Sequence, residues 1–395
     1  MPGPLNGIVV VDLTRVLAGP FCTMLLADLG AEVIKIERPD GGDDSRAFGP
    51  FVQGESAYFM SINRGKKSAT LNLKHPQGKE LLQALVAKAD ILVENFKPGV
   101  MDRLGLGYAA LSALNPRLIY AASSGFGQTG PYSDRPAYDL IIQGMGGLMS
   151  ITGPDARHPT KVGSSIADIF AGVFTTIGIL AALHARAKTG RGQLVDVGML
   201  DCMAAILENA VARYVATGTD PQPIGNRHPS IAPFATFTTA DGAINLAIGN
   251  DELWKKFCGL VGAPALADDP RYATNPLRVQ HWADLEIDLN KILAGRTTAA
   301  WLELFQAKGI PSGPINSISQ VLADAHILAR QMLVEVSHPT AGPMKIPGVP
   351  IKLSATPAEV LGPAPLLGQH NAEIWGARLG RSPEAIATLK SQGVI

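Results

Sequence analysis

The 395-residue chain has only three cysteines, and Cys22, Cys202 and Cys258 are too few and too far apart for a disulfide framework or a CxxC metal site. They read as small buried apolar residues. Eight histidines fall in no HxH or HExxH spacing, so no metal centre is expected. Charge is scarce as well, 17% of residues against a norm of about 25%. The 34 basic and 34 acidic residues cancel, which leaves no long-range field to gather DNA, RNA or anionic lipid. Neither nucleic acid nor a membrane is an expected partner. The longest apolar stretch, Ile169 to Leu183, has 15 residues, short of the ~20 that span a bilayer, and reads as a buried helix. The N-terminus, MPGPLNGIVVVDL, lacks the basic and continuously apolar regions of a signal peptide, so a cytoplasmic location is expected.

What is present is apolar, with 46% hydrophobic residues, and rich in turns, with 42 Gly and 29 Pro. That composition excludes disorder and places an unusual share of the chain in a core or a subunit interface. The length exceeds the roughly 100 to 200 residues of one domain. Short Val- and Ile-rich runs alternate with helical segments: strands at 8–12, 31–37, 91–94, 118–123 and 193–197, and helices at 19–29, 78–89, 109–114, 138–149, 167–187 and 200–216. Such alternation predicts an α/β fold with a Rossmann-like parallel sheet. At residues 218–233 four prolines and no helical period mark a linker. A hairpin around Asp241-Gly242 and helices near Trp254, Leu285 and Trp301 then predict a smaller α+β domain over 234–333. A return linker over 334–365 leads to C-terminal helices at 366–395 that rejoin the large domain of residues 1–217.

An acid at the end of the second strand, Glu37, invites a dinucleotide reading, but the loop after the first strand, Thr14 to Pro20, has one glycine where GxGxxG needs three. No GxxxxGK[ST] occurs either. Basic residues nevertheless collect where parallel strands end: Arg38, then Arg64, Lys66, Lys67, Lys74 and Lys79, then Lys97 and Arg103. In an electrically neutral chain this clustering predicts a pocket for a multiply phosphorylated small molecule.

Gly163-Ser-Ser-Ile-Ala-Asp168 places one carboxylate in an otherwise uncharged stretch from Val162 to Leu183. A desolvated carboxylate costs several kcal/mol unless something uses or pairs it. Two readings stay open: a first-turn acid favoured by the helix dipole, or a nucleophile or general base.

The segments DLTRVLAGPF (12–21), LGAEVIKIERPDGGDDSR (29–46), NRGKKSATLNLK (63–74), ENFKPG (94–99), GFGQTGP (125–131), GSSIADIFAG (163–172), KTGRGQ (188–193), GIPSGPIN (309–316) and PLLGQH (365–370) occur in this order. In them the chain resembles the family III coenzyme A transferases, the CaiB/BaiF group, over essentially its whole length. The resemblance implies that Asp168 is a nucleophile forming an aspartyl anhydride and then an aspartyl-CoA thioester. Acyl-CoA and a small carboxylic acid are then the substrates, with no permanently bound cofactor and no metal. It places CoA along Val16, Leu17 and Ala18, Arg38, Leu71, Asn72, Leu73 and Lys74, Asn95, Phe96 and Lys97, and Arg103, with Ala137, Tyr138 and Asp139 flanking the thioester. It further implies an interlocked homodimer of open-ring chains. Leu17, where formyl-CoA transferase has glutamine, and the lack of a glycine-rich flap near 224–234 point away from oxalate, while GNRHPSIAP (225–233), with TRVLAGPF and GFGQTGP, resembles the succinyl-CoA-dependent dicarboxylate branch. Arg15 and His228 are candidates for a distal acceptor carboxylate. Two alternatives remain. One is an α-methylacyl-CoA racemase, which by resemblance would carry histidine at Tyr138, and the other is a noncatalytic CoA-binding protein.

Overall fold

The computed structural model describes residues 3–395 and divides them into two units. The first comprises residues 3–148, Lys161–Val215 and Ala325–Ile395; the second comprises Met149–Thr160 and Ala216–Asp324. The second unit thus takes in a segment expected in the large domain, and the chain re-enters the first unit at Ala325 rather than after 333.

In the first unit, strands β1 (Val9–Asp12), β2 (Glu32–Glu37), β3 (Lys67–Thr70), β4 (Ile91–Glu94), β5 (Ile119–Ser124) and β6 (Leu194–Gly198) form one parallel sheet in the order β3-β2-β1-β4-β5-β6. Because side chains alternate along a strand, Val11, Ile34 and Leu92 face one layer while Val10, Val33, Ile91 and Val93 face the other. The first layer is closed by helix α2 (Pro76–Val86) through Leu81, Leu82 and Leu85, with Trp375 and Ile395 beside them. The opposite layer is closed by Leu26 of helix α1 (Ala18–Asp28) and Ile179 of the long helix α5 (Ile166–Thr189). Helices α3 (Tyr108–Leu114) and α4 (Asp139–Met145) lie between β4 and α5 in the chain; α6 (Met199–Ile206) and α7 (Glu208–Thr217) follow β6. Helix α5 has 24 residues and is long and apolar enough to cross a membrane by length and composition. It packs instead on α1 and on β5 and β6.

Strand β3 escaped the sequence reading because KSAT lacks an apolar run; Ser68, Ala69 and Thr70 are buried through pairing with β2 instead. The 200–216 helix is two helices, and the 334–365 stretch contains the hairpin β10 (Leu333–His338) and β11 (Gly342–Pro347) rather than an unstructured return.

The second unit pairs β7 (Phe234–Thr238), β8 (Ala243–Ala247) and β9 (Ser312–Pro314) in an antiparallel sheet. Helices α8 (Asp251–Leu260), α9 (Trp282–Leu293) and α10 (Thr298–Ala307) contribute Trp254, Phe257, Leu285, Leu289, Trp301 and Phe305 to its core. In the first unit, a π-helical turn over Ala372–Arg378 and helix α11 (Pro383–Ser391) end the chain.

Candidate active site

A doubly wound sheet opens a crevice at the carboxyl ends of the two strands where its winding reverses. Here those are β1 and β4, and the loops after them carry Thr14 to Leu17 and Asn95 to Lys97. Two cavities open there and share Arg15 and Phe96. The larger, about 560 Å3, is lined by Leu71, Asn72, Leu73, Lys74, Arg38 and Arg103 among others. The smaller, about 270 Å3, reaches Val16, Leu17, Ala18, Asn95, Lys97, Ala137, Tyr138 and Asp168. The elongated shape suits a ligand with a nucleotide at one end and a reacting group at the other.

Asp168 sits in the first turn of α5. That position left open whether it merely caps the helix. The structure assigns capping to another acid: Asp139 Oδ1 accepts the Ala167 N–H at 3.0 Å, while its Oδ2 accepts Gln143 Nε2 at 2.8 Å. Asp139 is therefore beside the cavity without lining it. Freed from that duty, the Asp168 carboxylate faces the Ala18 N–H at the start of α1. The approach depends on Gly172, one turn later on the same face of α5, where a Cβ would stand 2.7 Å from the Ala18 carbonyl. Burial, and then the neighbouring Asp139 charge, raise the Asp168 pKa to about 7, against the opposing pull of the Ala18 N–H. Tyr58 is pushed up to about 12 by burial and then by Asp168, Asp43 and Asp139.

The expected basic cluster divides in two. Arg38, Lys74, Lys97 and Arg103 are exposed at the cavity rims. Arg64 and Lys66 are instead buried and neutralised, and cannot meet a ligand. Arg64 pairs with Asp28 at 2.7 Å and also donates to the Pro347 carbonyl. Lys66 Nζ donates to Asp12 Oδ2 at 3.1 Å, Thr23 Oγ1 at 2.7 Å, Asn63 Oδ1 at 2.8 Å and the Pro20 carbonyl at 3.0 Å. Burial lowers its pKa to about 8, with Asp12 resisting. Lys67 pairs with Glu32 and Glu373. Glu37, the acid that invited a ribose role, is held by Arg46 at 2.7 and 2.8 Å.

Of the two acceptor candidates, Arg15 lines both cavities, but its guanidinium pairs with Asp44 at 3.0 Å, which also binds Arg38 at 3.0 Å. His228 belongs to the second unit and lines neither cavity; its Nδ1 accepts the Ser230 N–H at 3.1 Å and its ring lies 5.2 Å from that of Phe234. Sequence reasoning missed Asp43, Glu94 and Tyr58. Asp43 and Glu94 lay inside quoted motifs, yet only folding reveals their burial. Glu94 Oε2 accepts the Phe96 N–H at 2.7 Å, and burial, with Asp102 and Asp196 nearby, raises its pKa to about 7. No group of three or more metal-ligating side chains occurs among the described residues.

Residues 5–371 match the family model for CoA-transferase family III. A succinyl-CoA:glutarate CoA-transferase of Mus musculus is 42% identical over 393 residues, 99% of this chain and 90% of that protein. An acetyl-CoA:oxalate CoA-transferase of Acetobacter aceti is 46% identical, covering 94% of this chain and 95% of that protein. A solved CaiB/BaiF family protein from Brucella suis is 42% identical and superimposes with a TM-score of 0.86, covering 95% of this chain and 100% of that one.

Proposed function

Because the chain belongs to CoA-transferase family III, we propose that it moves CoA from succinyl-CoA or a similar donor to a free dicarboxylic acid, with Asp168 as the nucleophile. The observation that carries this reading is the placement of Asp168: a half-buried carboxylate, relieved of helix capping by Asp139, at the inner end of the switch-point crevice.

The Asp168 carboxylate attacks the thioester carbonyl of the donor, the C–S bond breaks, and a mixed anhydride and CoA thiolate result. The thiolate attacks the aspartyl carbonyl, releasing the donor acid and leaving an aspartyl-CoA thioester. The acceptor carboxylate then attacks that carbonyl, expelling the thiolate and forming a second anhydride. Attack of the thiolate on the acceptor's acyl carbon yields the new thioester and frees Asp168. Each step exchanges one acyl bond for another, so no redox partner and no permanently bound cofactor is needed. The thiolate must stay in place between steps, which is the task of the larger cavity and its rim of Arg38, Lys74 and Arg103, supplying charge for phosphates. Lys97 adds charge at the smaller cavity.

The acceptor is a dicarboxylate whose length is set by test rather than by Leu17 or the missing flap, since relatives named for glutarate and for oxalate are similarly close in sequence. The reading extends to a homodimer: Tyr138, Leu140 and Ile141 at the start of α4, Ile177 on α5 and Val211, Tyr214 and Val215 on α7 are large, apolar and exposed. A monomer in light scattering at micromolar concentration overturns that part. A cytoplasmic location agrees with three free, buried cysteines.

The test incubates the protein with succinyl-CoA and a panel of dicarboxylates, with hydroxylamine trapping of the enzyme. Transfer with an adduct on Asp168, both lost in Asp168→Ala, is the expected result. Solvent deuterium entering the acyl α-carbon without transfer makes the protein a racemase, and CoA binding with neither reaction makes it noncatalytic.

A further inference from the structure

Val16 has φ 67°, in the left-handed region that glycine tolerates and a β-branched residue does not. Strain of this kind persists only where the surroundings over-determine the backbone, and here side chains hold the chain before Val16 while helix α1 begins two residues after it. The two peptide groups on either side of Arg15 have all four polar atoms held by side chains. The Thr14 carbonyl accepts Lys35 Nζ at 2.8 Å, and the Arg15 N–H donates to Asn95 Oδ1 at 2.8 Å. The Arg15 carbonyl accepts Asn95 Nδ2 at 2.8 Å, and the Val16 N–H donates to Asp43 Oδ1 at 3.1 Å.

The anchors are themselves fixed. Asp43 and Lys35 form a buried ion pair at 2.8 Å, and the Ser45 N–H and hydroxyl donate to Asp43 Oδ1 at 2.9 and 2.8 Å. Asn95 follows Glu94, whose carboxylate holds the next peptide N–H. Two residues after Val16 the chain enters α1, whose N-cap position, Leu17, supplies no side-chain hydrogen bond; its first residue, Ala18, lines the same cavity as Asp168, packs against α5 at Gly172, and through its N–H draws the Asp168 pKa down.

We propose that Val16, held left-handed between the Asn95 and Asp43 clamp on the peptide before it and helix α1 after it, is a positioning residue that sets the start of α1 against the nucleophilic carboxylate. The inference rests on Asp168 being the nucleophile. The clamp ties the ends of β1 and β4, through Asn95, to the loop after β2, through Asp43, so all three strands around the switch point fix one N–H. With the helix start held there, the carboxylate meets an oriented donor before substrate arrives, and no reorganisation accompanies the attack. The titratable groups that face Asp168 or share its cavity are Asp139, Tyr58, Arg15, Asp44, Lys97, Arg135 and Tyr138, and none of them is altered by the substitutions that test the idea.

The experiment compares wild type, Val16→Gly, Asn95→Ala and the double variant. Glycine relaxes the strain without adding bulk, so Val16→Gly is expected to melt no lower than wild type. Its kcat should fall about tenfold, with donor KM within twofold. The acid limb of its kcat/KM profile should move to higher pH, because a wandering Ala18 N–H favours the ionised Asp168 less. Asn95→Ala acts through the same backbone, so the double variant should be no slower than the slower single one. Wild-type kcat and an unmoved acid limb in Val16→Gly overturn the proposal, as do losses that multiply in the double variant, which make Asn95 an independent ligand contact. Failure of hydroxylamine to trap an adduct on Asp168 in wild type removes the underlying nucleophile reading instead, and is read before any variant is made.

Discussion

The two units differ in what they bury beside their aliphatic side chains. The second is held by aromatic rings: Trp301 stacks on Phe305 at 5.2 Å and Trp254 on Phe257 at 5.9 Å, with Arg278 the buried cation among them. The first buries a set of ions around its switch point, Asp12, Lys35, Asp43, Lys66 and Glu37, in a chain that has little charge to spend. Buried ion pairs rarely add stability over well-packed apolar residues. Their value here is directional, because a lysine with four acceptors or an aspartate with three donors fixes loops at set angles and a leucine does not. Charge is concentrated where geometry matters, and rings fill the unit whose requirement is volume.

The sharpest test of that contrast is at Asp168, the proposed nucleophile. Asp168→Asn should lower transfer by about 10^4-fold or more while stabilising the fold, measured by steady-state transfer and thermal melts. The folded-state pKa of about 7 lies above the ordinary carboxylate value. Ionisation therefore costs stability as pH rises from about 4 to about 7, and the variant should gain on the order of 2 kcal/mol above that window. Equal melting points at pH 8 would break the argument that Asp168 is held at a cost.

Removing one ion and removing one ring should then diverge. Lys66→Met takes the directly paired cation from buried Asp12, leaving only Lys35 nearby, and is expected to cost about 3–5 kcal/mol in denaturant unfolding, with activity lost alongside. Trp301→Ala is expected to cost about 3–5 kcal/mol through its cavity, yet donor kcat in the fraction that remains folded should stay within about threefold. If both variants depress kcat equally, the division of labour between ions and rings is wrong.

Gly172→Ala sharpens the comparison on the helix pair. A Cβ at 2.7 Å from the Ala18 carbonyl forces α1 from α5, with an expected loss of about 1–3 kcal/mol and about tenfold in kcat. Wild-type kcat in a folded Gly172→Ala protein would show that the approach of the two helices is irrelevant to Asp168. A milder effect is expected in the pH profile of the wild-type enzyme, where kcat/KM for the donor falls about tenfold per unit below pH 7 as Asp168 takes up its proton. The smallest change is at the rim. Arg103→Gln should raise donor KM about threefold, and less at high salt, because an exposed charge is screened.

The parallel strands with buried apolar runs, β1, β2, β4 and β5, were legible because their periodicity is local, and so was the hairpin around Asp241-Gly242. Strand β3 was not, since KSAT is buried by its neighbours rather than by its own hydrophobicity. Among the candidate site residues, those after β1, β3 and β4 do line the two cavities. Arg64 and Lys66 show the limit: an interior cation and a rim cation look alike in a sequence, and they differ only in whether a carboxylate from a distant segment has reached them.

By itself the sequence determined the family, the sheet-forming runs and the one acid in an apolar stretch, because each is written in neighbouring residues. Tertiary structure decided which acid caps α5 and which is left facing the cavity. It also decided which cations are spent inside the protein, and why a valine sits where glycine would be easier. Those outcomes depend on groups tens to hundreds of positions apart meeting within about 3 Å, and no local pattern encodes such meetings.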